Sequence, residues 1–205
     1  MLWIIPNILT FGRLVLSIVF LIMILYSPPP DAPNRPFFLV IAFVLFVAAG
    51  LTDMIDGAIA RRLDVASKFG RIIDPLVDKV LVCGAFICFA IIREPKLFNL
   101  DDRILALVHW SVAGILMLRE IYVTTLRHIA EARGINFAAT VSGKVKMFLQ
   151  SFAIGTVIIK AAYVQTATWG YWFTTVVFAL MLTVTVFSGL SASRRSSWKK
   201  APNCN

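Results

Sequence analysis

Six apolar stretches, at residues 11–26, 37–59, 72–92, 104–126, 145–164 and 171–190, dominate this chain, and each is close to the length a helix needs to cross a hydrocarbon layer. No soluble core could hide that much apolar surface in 205 residues, of which 59% are hydrophobic and only 15% charged. None of the stretches alternates with period two, which argues for helices rather than barrel strands. The sequence therefore predicts an all-α integral membrane protein with six transmembrane helices, in a single membrane-embedded domain over residues 1–205 without internal repeats. Pro6, Asn7 and Arg13 interrupt the start, and no small-residue cleavage site follows a short apolar run, so the first apolar segment is expected to be retained. Residues 2–11 are apolar but carry Pro6 and Asn7, and are expected to lie along the membrane interface before the first span.

Polar turns at Pro28 to Pro33, Arg93 to Arg103 and Gln165 to Gly170 separate the spans on one side, while the other two connections are strongly basic. Fifteen of the 20 Lys and Arg residues fall at or near the membrane face that carries the basic connections, and the remaining five are Arg35, Arg93, Lys96, Arg103 and Lys160. Such asymmetry places both termini in the cytoplasm of a multi-pass protein of the cytoplasmic (inner) membrane. A formal charge of +9 suits either nucleic acid or anionic lipid. In so apolar a chain, lipid headgroups and phosphorylated substrates are the expected partners, and nucleic acid is not. Cys83, Cys88 and Cys204 lack metal-ligand spacing and read as small packing residues plus one tail thiol. His109 and His128 are too few and scattered for a metal cluster; His109 beside Trp110 reads as an interfacial residue on the far side.

The chemistry concentrates between the second and third stretches. Asp53 and Asp56 are three residues apart and Asp74 and Asp78 four apart, so on helices each pair projects from one face. Two such helices joined by a short basic connection would form an antiparallel hairpin able to bring all four carboxylates together. Clustered anions at the edge of a low-dielectric slab need neutralising, since each ionised carboxylate left alone costs several kcal/mol. Two divalent cations would cancel that charge, and hard oxygen ligands with open positions suit Mg²⁺ or Mn²⁺ bridging a diphosphate. Plainer readings exist: an intramembrane aspartate can serve packing, a proton path or an ion transporter, and Asp74 before Pro75 can cap a helix. Gly57, Ala60 and Gly70 favour the substrate reading, because bulk there would block a flat base or diphosphate. Arg61 can fork onto phosphate oxygens. For Gly50 and Gly84, close helix packing is the simpler account.

The run D-x₂-D-G-x₂-A-R-x₈-G-x₃-D-x₃-D, filled by Asp53, Asp56, Gly57, Ala60, Arg61, Gly70, Asp74 and Asp78, resembles without departure the defining motif of the CDP-alcohol phosphotransferase family. The resemblance implies a six-helix membrane fold, usually dimeric. In it Asp53, Asp56 and Asp74 hold two metals, and Asp78 acts as general base at the edge of the metal site. The opening I-P-N-I-L-T-F-G-R and the segments R-E-I-Y-V-T-T-L-R and S-G-K-V-K-M-F-L-Q are similar to the bacterial phosphatidylglycerophosphate synthase branch of that family. That similarity places Asn7, Thr10 and Arg13 near the cytidine diphosphate of CDP-diacylglycerol. Met147 stands where the branch commonly has threonine.

A phosphorylated acceptor also has a physical rationale. Arg119, Arg127, Lys144 and Lys146 approach the membrane face that carries the aspartates, where they could hold the dianionic phosphate of glycerol 3-phosphate and leave its hydroxyl near Asp78. They could equally anchor anionic lipid, and Arg119 beside Glu120 could be an internal ion pair. The expected reaction moves a phosphatidyl group from CDP-diacylglycerol to glycerol 3-phosphate, releasing CMP. Its rivals are another acceptor (inositol phosphate, serine or phosphatidylglycerol), an intramembrane prenyltransferase, and an ion or proton transporter.

Overall fold

A computed structural model describes residues 4–63, 68–98, 100–132 and 141–196, with the surroundings of side chains at 4–9, 53–63, 68–75, 131, 141–142 and 194–196 outside that description. Six helices occupy the described residues: α1 (Ile4–Leu25), α2 (Arg35–Leu63), α3 (Lys68–Ile92), α4 (Asp102–Ala132), α5 (Val141–Tyr163) and α6 (Thr168–Ser196). Four contain a stretch long and apolar enough to cross a bilayer, at Arg35–Thr52, Asp102–Ala130, Gly143–Tyr163 and Thr168–Ser193. The apolar part of α1, Thr10–Leu25, is shorter.

The helices run alternately up and down, and polar contacts at the two ends show it. At one end Arg35, at the start of α2, donates from Nη2 to Glu94 beyond α3 (2.9 Å), from Nη1 to the Pro28 carbonyl after α1 (3.0 Å) and from Nε to the Ala161 carbonyl in α5 (3.3 Å). Beside it Lys160 donates to the Lys96 carbonyl (2.8 Å) and lies over the Tyr171 ring at the start of α6. At the other end the start of α1 meets the start of α3, and the end of α4 meets the starts of α3 and α5 and the end of α6.

Between the ends the core is apolar and tightly stacked: Phe20 and Ile24 of α1, Phe46 of α2, Phe86 of α3, Ile154 of α5 and Met181 of α6 are buried together. Small buried residues such as Ala42, Ala85 and Ala153 let the helices approach, as membrane bundles require. Large apolar side chains including Phe37, Leu107, Phe148 and Phe187 point outward, where a bilayer is the matching solvent.

Three local expectations change. α1 runs unbroken from Ile4 to Leu25 instead of separating an interfacial segment from a span. Pro6 falls in its first turn, where the missing N–H has no helical acceptor to lose. The second concerns the glycines read as close-packing sites, of which one holds. Among the described residues α1 packs against both α2 and α3, and the hairpin end expected to carry the carboxylates lies outside the description of side chains. A Cβ at Gly84 would lie 2.7 Å from Leu21, so α1 seats closely on α3. Gly50, by contrast, has open space around it. Third, His109 is buried rather than interfacial, on the α4 stripe shared with Leu105, Val112 and Leu116, while Trp110 stays exposed. Cys88 is buried and Cys83 half-buried, both free, as expected of packing residues; Cys204 lies outside the described residues.

Candidate active site

The helical backbones of α2 and α3 carry the motif at one end of the bundle. On α2 the buried positions Leu39, Ala42, Phe46 and Ala49 advance by three and four, and the next steps of that series fall on Asp53 and Asp56. On α3, Asp74 and Asp78 each precede by three residues the buried Val77 and Leu81. The surroundings of Asp53, Asp56, Gly57, Ala60, Arg61, Gly70 and Asp74 lie outside the described residues, as do those of Asn7; their helical backbones alone place them.

Asp78 is described. Its Oδ1 lies 3.6 Å from Nη1 of Arg13, an ion pair longer than a hydrogen bond, and its side chain is 34% exposed while Arg13 is 1% exposed. Arg13 belongs to an inward stripe of α1 that starts polar, with Thr10, Arg13 and Ser17, and turns apolar at Phe20 and Ile24. Arg13, expected beside the nucleotide, thus sits against Asp78 of α3, with Thr10 buried one turn earlier on α1 and Asn7 earlier still on the same helix. Lys79, next to Asp78, donates to Thr124 of α4 (2.6 Å), and Thr124 donates onward to the Glu120 carbonyl (2.7 Å).

The basic residues expected to take an acceptor phosphate divide into two kinds. Arg119 and Lys146 converge on one carboxylate: Glu120 Oε1 accepts from Arg119 Nη1 (3.0 Å) and from Lys146 Nζ. Arg119 Nη2 donates to Ser188 of α6 (2.5 Å). Arg127 and Lys144 are exposed nearby in sequence. Lys144 and Lys146, two apart, point to different sides of α5, as helix geometry requires. Glu120 is the member whose reach was not readable from sequence: it was visible as a neighbour of Arg119, but its partner on α5 lies 26 residues away. The usable signal was an acid with no aqueous excuse inside an apolar stretch.

A concavity of about 260 Å³ lies at the opposite end between α2, α5 and α6. Its lining is apolar apart from Thr156, Lys160 and Thr174, each bonded to a backbone carbonyl, so it lacks a group suited to acid–base work.

The CDP-alcohol phosphatidyltransferase family description matches residues 3–193. The chain is 33% identical over 153 residues to a Mycobacterium tuberculosis protein named probable phosphatidylglycerophosphate synthase, covering 75% of this chain and 65% of that protein. It therefore spans a little under two thirds of that relative's length. It is 31% identical over 161 residues to the Bacillus subtilis CDP-diacylglycerol–glycerol-3-phosphate 3-phosphatidyltransferase, covering 75% of this chain and 76% of the relative. A Cereibacter sphaeroides protein of the same name is 32% identical over 159 residues, with 77% and 64% covered.

Proposed function

This chain belongs to the CDP-alcohol phosphatidyltransferase family, and from that premise we propose that it transfers the phosphatidyl group of CDP-diacylglycerol to sn-glycerol 3-phosphate, forming phosphatidylglycerophosphate and CMP. The observation that carries the reading is the complete eight-position motif, carried on α2 and α3. The relatives named for this reaction support the choice of acceptor.

Members of this family use divalent cations. Carboxylate oxygens from two helices fit such ions, and Asp53, Asp56, Asp74 and Asp78 would hold two of them, Mg²⁺ or Mn²⁺. When bound, they supply positive charge to the diphosphate as it is displaced. Asp78, the described carboxylate with open surface, takes the proton from the acceptor's hydroxyl. The hydroxyl oxygen bonds to the lipid-side phosphorus, the bond from that phosphorus to the bridging oxygen breaks, and CMP leaves with the electron pair. Arg61 takes part of the charge on the departing phosphate. Asn7, Thr10 and Arg13 line the nucleotide's approach, and Gly57, Ala60 and Gly70 leave room for it. Arg119, Arg127, Lys144 and Lys146 receive the acceptor's phosphate. Six spans put both termini and the site on the cytoplasmic side of the inner membrane. The lipid tails stay in the bilayer, and the protein works as a homodimer.

Release of CMP from CDP-diacylglycerol by purified protein, with glycerol 3-phosphate, inositol phosphate, serine and phosphatidylglycerol offered separately, tests the assignment. Glycerol 3-phosphate should be preferred. Preference for an unphosphorylated alcohol overturns the acceptor, and ion flux into proteoliposomes without CMP would point to a transporter.

A further inference from the structure

Glu120 stands where three helices converge on one oxygen. Its Oε1 accepts from Arg119 on its own helix and from Lys146 on α5, and Arg119 is tied in turn to Ser188 on α6. The three charged side chains are largely buried, at 12% exposed for Arg119, 15% for Glu120 and 7% for Lys146. Among the described residues α4 and α5 do not pack against each other. The Glu120 to Lys146 bond therefore links two helices that share no packed surface among the described residues.

The cluster also holds donors in reserve. Arg119 Nε is buried and has no hydrogen-bond partner among the described residues, an uncommon state for a guanidinium that a ligand would relieve. The Lys146 ammonium carries three protons, and Glu120 takes one of them. Two cations against one anion leave one net positive charge in the cluster. That arrangement is suited to an oxyanion with several oxygens.

We propose that Glu120 is a positioning residue for the acceptor's phosphate: it holds Lys146 beside Arg119, which Ser188 ties independently, with the remaining donors of both turned to a phosphate monoester. The inference rests on the reading of Arg119 and Lys146 as acceptor-binding groups and adds to it the residue that sets Lys146. Lys146 lies in the second turn of α5, so without its counter-ion the long side chain can swing to the aqueous edge. The phosphate would then meet one ordered cation instead of two.

Glu120→Gln, which keeps the shape and removes the charge, is expected to raise KM for glycerol 3-phosphate about tenfold or more while leaving KM for CDP-diacylglycerol within about twofold. Glu120→Asp, which keeps the charge at shorter reach, should recover part of the loss. In a double-mutant cycle, Glu120→Gln should have little further effect once Lys146 is Met, because the group it positions is gone. An unchanged KM for glycerol 3-phosphate, an equal rise for both substrates, or independent effects in the cycle overturns the proposal. If Glu120→Gln alone does not fold, comparing Lys146→Met with the double variant carries the same test: a further rise in KM overturns it. Wild-type protein whose CMP release ignores glycerol 3-phosphate would remove the acceptor reading itself and this inference with it. Unaltered wild-type dependence with an insensitive Glu120 variant removes the inference alone.

Discussion

Asp78 has a carboxylate with a third of its surface open and a buried arginine 3.6 Å away, so it is held in place yet reachable. Replacing it by Asn keeps the size and removes the base. Turnover should fall by roughly 10²–10⁴-fold, the usual contribution of a positioned base, while metal-dependent binding of CDP-diacylglycerol in nanodiscs stays largely intact. Equal loss of both would make Asp78 chiefly a ligand. Removing Arg119 and Lys144 together, each to Ala, should raise KM for glycerol 3-phosphate more than KM for CDP-diacylglycerol, and the reverse pattern would take them out of the acceptor site. At this scale the sequence was most informative where residues act through fixed local spacing, as in the motif. It was least informative where a side chain finds its partner across the bundle: Glu120 with Lys146, Lys79 with Thr124, and Arg35 with Glu94, 59 residues apart. Charge pairing at that separation depends on which helices become neighbours, and hydropathy does not encode this.

Among the elements, the apolar stretches located the helices within a few residues on most boundaries, because a bilayer demands long uninterrupted helices and little else. What they left open was adjacency. Among the described residues α1 packs against both α2 and α3, its Leu21 fitting over Gly84. The start of α1 also differed, since a proline in a first turn costs a helix nothing. At the end opposite the motif, Arg35 joins α2 to the end of α3, the end of α5 and the turn after α1 through three bonds. Arg35→Met strands the mostly buried Glu94 and should destabilise the protein by about 3 kcal/mol, as breaking one side of a buried pair does. Thermal unfolding in detergent measures this, and adding Glu94→Gln should recover much of the loss. A single variant as stable as wild type would show that the pair does not hold these ends together.

For the molecule as a whole, the two ends have different work. One is tied by Arg35, Glu94 and Lys160, with bonds to backbone carbonyls and an aromatic ring; the other holds the Arg13–Asp78 pair and the Glu120 cluster, where charged side chains meet across helices. The account depends most on the α2 and α3 aspartates gathering divalent cations. Manganese titration of purified protein in nanodiscs, followed by electron paramagnetic resonance, tests this directly. Two tightly held Mn²⁺ per chain are predicted, with binding lost when Asp53 and Asp74 are both changed to Asn. No bound ion in the wild type, or undiminished binding in that double variant, would contradict it.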